Sequence, residues 1–134
     1  MHRTKIVTSF LKNSDKILLL KRSEEVKSMK NLWAGISGII EGDETPLDRA
    51  IIEIFEEVGI KKNNITLLKQ GQVILIESPQ YANHQWEVYP FMFGIESRDI
   101  KLNWENSDSK WIDENELCNF TTVPNLDKVL ARLL

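Results

Sequence analysis

Three glutamates, Glu53, Glu56 and Glu57, fall three and four residues apart in a segment whose apolar residues repeat with helical spacing. On a helix that spacing turns the three carboxylates toward one face. Like charges so placed cost roughly 0.2–0.5 kcal/mol per pair, and all three stand toward the C-terminal end, where the helix dipole disfavours anions. A hard divalent cation would lift both penalties, because magnesium takes carboxylate oxygens and keeps waters in its shell. A solvated acidic face is the alternative reading of the same residues. Just upstream, Gly38 to Glu44 reads Gly-Ile-Ile-Glu-Gly-Asp-Glu. Its glycines permit tight turns and close backbone approach, so such a loop can bring a carbonyl and a further carboxylate to the same ion.

From Gly38 to Ile60 the chain resembles the Nudix box, Gly-x5-Glu-x7-Arg-Glu-U-x-Glu-Glu-x-Gly-U, with U a bulky aliphatic residue. Gly38, Glu44, Glu53, Ile54, Glu56, Glu57, Gly59 and Ile60 occupy specified positions, and Ile52 stands where the family has its Arg. In the family that Arg resembles an orienting group paired with a box glutamate, a pairing Ile52 cannot make. Arg49, four residues before Glu53, reads as a surface i,i+4 ion pair of little worth; the alternative is partial substitution for the missing charge.

The resemblance extends over nearly the whole chain and implies a Nudix-type α/β/α sandwich with a mixed β-sheet. It implies a hydrolase using Mg²⁺, with Mn²⁺ as a substitute, that cleaves a phosphoanhydride bond in a nucleoside diphosphate linked to a moiety X. A Nudix-fold module that binds a nucleotide or phosphosugar without efficient turnover is the competing expectation; Ile52 favours it and the three intact glutamates oppose it. Carried over by position, Glu53, Glu56 and Glu57 are metal ligands, the Ser37 backbone carbonyl is a further donor, and Glu44 is another carboxylate of the metal shell or a loop organiser. Glu105 is expected to serve as a ligand or as the general base, joining Glu53 and Glu57 in the catalytic set; an exposed loop acid is its alternative. Toward substrate, Lys21 and Arg22 end a strand where family members place a phosphate-contacting base, a solvated strand end being the alternative and the first reading, and Gly38 allows close approach. Trp33, Tyr81, His84 and Trp86 offer flat faces to a nucleobase. Core packing is the alternative for Trp33 and Trp86, a plain loop position for His84, and Glu87 could face the cleft.

The elements that must position these groups follow from periodicity. Thr45 is a suitable N-cap, Pro46 suits the first helical position, and Leu47, Ala50, Ile51, Ile54, Phe55 and Val58 form an apolar stripe that Gly59 closes. Strands are expected at Arg3 to Lys12, Lys16 to Lys21, Trp33 to Ile36, Ile65 to Glu77, Gln85 to Glu96 and Lys110 to Ile112. The run Ile17-Leu18-Leu19-Leu20 suits a strand buried on both faces. A helical turn is expected around Glu114 to Leu117, and a closing amphipathic helix at Pro124 to Leu134, with Leu126, Val129, Leu130 and Leu133 inward.

At 134 residues, 42% hydrophobic and 28% charged, the chain is expected to be a single domain spanning 1–134 with its own core. A net charge of -3 argues against a nucleic-acid footprint or a polybasic membrane surface, so the expected partner is a small phosphorylated molecule drawn in locally by Lys, Arg or metal. Neither a signal-peptide core nor a membrane-spanning run is read. The single cysteine, Cys118, fits a reducing, cytoplasmic setting and reads as a small buried residue near Phe120. A homodimer is left open.

Overall fold

The structure, a computed structural model, describes residues 2–77 and 82–134, so the expected stacking residue Tyr81 and the Pro79 loop lie outside the described residues. The long first strand, β1 (His2–Asn13), organises the sheet. Along one edge it pairs in parallel with β7 (His84–Gly94), from His2↔His84 to Lys12↔Gly94. Its other edge is shared: β4 (Ile36–Ile39) pairs antiparallel with the first half, and β2 (Lys16–Arg22) closes a hairpin at the end. β2 carries β3 (Trp33–Ala34) and β8 (Asn106–Ile112), while β7 carries β5 (Thr66–Gln70) and β6 (Ile74–Glu77). The expected mixed sheet is therefore present.

Both faces of the sheet are covered, and the strand period of two decides which residue goes where. Leu18 and Leu20 pack with Val7, Leu11, Phe91 and Phe93 beneath helix α1 (Pro46–Val58), against its Ala50, Ile54 and Val58. Ile17 and Leu19 turn the other way, joining Phe10, Val88 and Met92 under the short helix α2 (Leu126–Ala131). The four apolar residues of β2 are all buried, as their unbroken run required.

Helix α1 begins and ends where its capping residues place it. The Thr45 hydroxyl accepts from the Asp48 N–H at 3.1 Å, and the Asp48 carboxylate accepts from the Thr45 N–H at 3.4 Å. At the far end Gly59 adopts φ 74°, the left-handed conformation, and donates its N–H to the Phe55 carbonyl. Phe55, expected in the apolar stripe, is instead 52% exposed.

Elsewhere several boundaries differ from expectation. The stretch expected as one strand at Trp33 to Ile36 changes partner at Gly35, and β4 runs on through Gly38 and Ile39, which therefore belong to a strand rather than to the loop. Ile65 to Glu77 divides into two strands on the same edge of β7, broken where Gly71 donates its N–H to the Pro90 carbonyl. β8 starts four residues before Lys110, because β2 offers a ladder to residues with little strand propensity of their own. A 3₁₀ turn spans Glu114–Asn119. α2 starts later than expected because Asn125 takes φ 65° at its N-cap, and it ends at Ala131, although the four inward residues are buried as anticipated. Cys118 is exposed, contrary to its reading as a buried residue: it sits on the solvent side of that 3₁₀ turn, with Leu117 turned inward. Among the described residues no helix is long and apolar enough to cross a membrane.

Candidate active site

α1 presents its three glutamates unequally. Glu53 and Glu57 are buried, at 7% and 4% exposure, whereas Glu56 faces solvent. A solvated acidic face would not turn two of its three carboxylates inward. Glu53 lies directly over β4, where a Cβ built on Gly38 would come within 2.2 Å of its Cδ. Only glycine at position 38 leaves room for that carboxylate against the strand.

Arg49 also differs from expectation. It is 8% exposed and not a surface residue. Its Nη1 donates to Glu53 Oε2 at 2.9 Å, its Nε to Glu44 Oε2 at 2.8 Å, and its Nη2 to Glu44 Oε1 and, at 3.3 Å, to Glu41 Oε2. Glu44 thus receives a two-pronged bond, the strong geometry for guanidinium and carboxylate. Its second role is within the loop, where Oε2 accepts the Glu41 N–H at 3.0 Å. Ile52, at the family's Arg position, is 37% exposed and lies outside this cluster.

The opposite wall is the segment before β8, which hangs from the end of α1. Lys101 and Asn103 donate their N–H groups to the free carbonyls of Val58 and Glu57, at 3.0 and 3.2 Å. Ser23, just after β2, holds the same segment through its hydroxyl on the Trp104 carbonyl (2.7 Å) and its N–H on the Glu105 carbonyl (2.8 Å). These bonds set Glu105 close enough for its charge to act on both Glu53 and Glu57. The Asn103 amide donates to Glu105 Oε1, and the buried Asn106 amide to Glu57 Oε1, each at 3.1 Å. Asn103 and Asn106 were not legible as site residues, since an asparagine before a strand usually marks nothing but a turn.

Burial is the main cause of the electrostatic pattern. It pushes the Glu57 carboxyl well above the ordinary glutamate value; the Asn106 amide opposes, and the charges of Glu105 and Glu53 add to the rise. Burial also raises Glu53, against the pull of Arg49, with Glu56 and Glu105 adding. Glu44 moves the other way, held low first by Arg49 and then by the Glu41 N–H. No N–H or O–H donor reaches the buried Glu57 Oε2, and the neighbouring Glu53 carboxyl adds to the Glu57 rise through hydrogen-bonding contact as well as charge.

The remaining candidates fall in different places. An apolar pocket of about 190 Å³ opens on the other face of β4, lined by Ser37, Arg22, Trp86, Val88, Ile76 and Leu126 among others. The Ser37 hydroxyl bonds to that of Thr8 at 3.0 Å. Arg22 uses Nε and Nη2 to hold the Ser28 carbonyl, at 3.3 and 3.0 Å. Trp33 is not in this lining: it packs edge-on against Phe120, centroids 5.2 Å apart, within the α2-side core. His84 opens β7 and is no loop residue; its Nε2 lies 2.8 Å from the Thr4 hydroxyl. Glu87 accepts from the Tyr89 hydroxyl at 2.6 Å with Arg3 and Lys5 nearby. A larger open depression of about 900 Å³, bounded by Lys12, Gly59, Asn64 and Asp99, includes none of the box glutamates.

With this geometry in view, the NUDIX domain family description matches residues 2–133. The chain belongs to the Nudix family. Among curated relatives it is similar to a dihydroneopterin triphosphate diphosphatase of Haemophilus influenzae, at 24% identity over 96% of this chain and 85% of that one. It is also similar to an RNA pyrophosphohydrolase of Bartonella bacilliformis, at 26% identity over 81% and 69% of the two chains. In fold it matches the crystal structure of a MutT protein from Methanosarcina mazei Go1 with TM-score 0.82, at 21% identity over 98% of this chain and 92% of that one. The α/β Nudix fold expected from the box is the fold observed.

Nudix hydrolases generally use divalent metals, and the residues here fit such an ion. Among the described residues no three acidic, His or Cys side chains already stand at ligating separations. Arg49 and Asn106 each hold one oxygen of the two buried carboxylates. The Glu57 Oε2 that no donor reaches, two buried carboxyls that resist full ionisation, and a strand opened by glycine to admit one of them are the features a hard cation would satisfy.

Proposed function

We propose that this chain is a magnesium-dependent hydrolase that splits a phosphoanhydride bond in a nucleoside diphosphate linked to a further moiety X. The enzyme class, a Nudix-type pyrophosphohydrolase, rests on family membership and on relatives named for diphosphatase and pyrophosphohydrolase activity. The observation that carries the finer reading is the buried Glu53–Glu57 pair with an Oε2 that no donor reaches, faced by Glu105. Magnesium, when bound, neutralises phosphate oxygens and lowers the pKa of a coordinated water, and Mn²⁺ is its natural substitute. Glu53, Glu57 and Glu105 would hold it, with Glu56 and the Ser37 carbonyl as further donors.

The chain's own residues do the rest. Gly38, expected to admit the substrate, instead seats the Glu53 carboxylate, which fills the space a side chain would take against β4. The adjoining apolar pocket, with Trp86 in its lining, would receive a flat base or X group, and Arg22 adds positive charge there. Glu105, only part-buried and with Oε1 held by Asn103, is able to bind the ion or take a proton from the attacking water. A small phosphorylated substrate and a cytoplasmic setting complete the reading. The test is a panel of nucleoside triphosphates, nucleotide-sugars and dihydroneopterin triphosphate with Mg²⁺, reading phosphate, pyrophosphate and nucleotide products. Hydrolysis of at least one compound between its phosphates supports the proposal; tight binding with no turnover across the panel replaces it with a binding module.

A further inference from the structure

We infer that Arg49 is the positioning residue of the site: it fixes the direction of Glu53 and ties the Glu41–Glu44 loop to the helix that bears it. The inference rests on the reading of Glu53 and Glu57 as cation ligands, and it concerns a residue the Nudix box leaves unspecified. A guanidinium at 8% exposure is costly to bury unless its donors are used, and here they reach three carboxylates from two segments. By holding Glu53 at Oε2 it commits one oxygen and leaves the other to an incoming ion. By gripping Glu44 with two donors it fixes the loop that connects β4 to α1. Position 52 offers neither contact, since Ile52 carries no donor and is more than one-third exposed.

The sign of the effect on cation binding separates positioning from simple charge balance. Removing a positive charge beside Glu53 should, by Coulomb's law alone, tighten a cation there. Losing the orientation of a ligand should weaken it, typically by about 10- to 100-fold for a residue that supports a metal ligand. Arg49→Gln and Arg49→Lys are to be compared with wild type by Mn²⁺ titration calorimetry, with circular dichroism reporting the fold. Lysine keeps the charge but loses the planar fork, so positioning predicts weaker Mn²⁺ binding by about tenfold or more in both variants. It also predicts a lowered kcat at saturating metal, as the loop and Glu53 lose their fixed geometry. Unchanged or tighter Mn²⁺ binding in Arg49→Gln, or wild-type binding in Arg49→Lys, overturns the inference. If Arg49→Gln does not fold, Arg49→Lys alone decides it. Absence of Mn²⁺ binding in folded wild type would instead remove the metal reading on which the inference rests.

Discussion

Glu57 shows most clearly what a single residue contributes. Its carboxyl titrates well above the ordinary value of 4.5 because it is buried among other acids. A carboxyl raised in the folded state binds its proton more tightly there than in the unfolded chain. Metal-free stability from this group is therefore present below 4.5 and is lost as pH rises through the folded value. Melting curves in EDTA should fall across that window, and Glu57→Gln, which carries no titrating proton, should flatten the fall. A wild-type melt insensitive to pH there would contradict the burial argument. Glu105 permits a kinetic separation of roles. Glu105→Gln should lower kcat by about 10²–10⁴ with metal dependence unchanged if the group is a base. A raised metal requirement that extra Mg²⁺ partly restores marks a ligand; wild-type values throughout would leave it a loop acid. The glutamates and Gly38 were legible because their types and spacing are local to the chain. The burial of Arg49 was not, because an i,i+4 pair looks the same on paper whether or not a loop folds over it.

At the scale of elements, the site depends on α1 starting at the right residue over β4. The Thr45–Asp48 capping box sets that start, and Thr45→Ala should cost about 1 kcal/mol. Differential scanning calorimetry should show the lowered Tm with the transition still cooperative; an unchanged Tm would mean that Pro46 and the buried stripe fix the helix without the cap. Gly38→Ala places a methyl where the Glu53 carboxylate lies, so it should abolish activity, with a loss of about 1–3 kcal/mol from overpacking. Full activity in that variant would show that Glu53 acts from elsewhere. α1 was readable end to end, since its cap, proline, stripe and closing glycine all lie within its own sequence. β8 was only half readable: Asn106 to Lys110 is polar and gains strand structure from its ladder to β2. The division of β5 from β6 and the late start of α2 likewise arise from contacts and backbone angles outside any local period.

The whole molecule is a two-sided sheet whose central strand changes partner partway along, and the candidate site lies beside the segment that fills the change. β4 turns Gly38 toward the α1 carboxylates and Ser37 toward the apolar pocket, so the proposed chemistry and the proposed base recognition occupy opposite faces of four residues. The layered α/β fold was legible because a box of this length specifies strand, loop and helix together. The site's outer wall was less so, because Glu105 is held there by bonds that Ser23 donates to its segment and that Lys101 and Asn103 donate to the carbonyls of Val58 and Glu57, joining distant parts of the chain. The central claim is metal-assisted phosphoanhydride hydrolysis at the buried carboxylate pair. Its most direct test is steady-state hydrolysis of the best substrate by wild type and by Glu57→Gln across a Mg²⁺ titration, with products identified. Wild type should release phosphate-containing products only with the divalent ion, and Glu57→Gln, still folded, should lose at least about a hundredfold in kcat/KM. Undiminished hydrolysis by folded Glu57→Gln, or by wild type in excess chelator, would contradict the account.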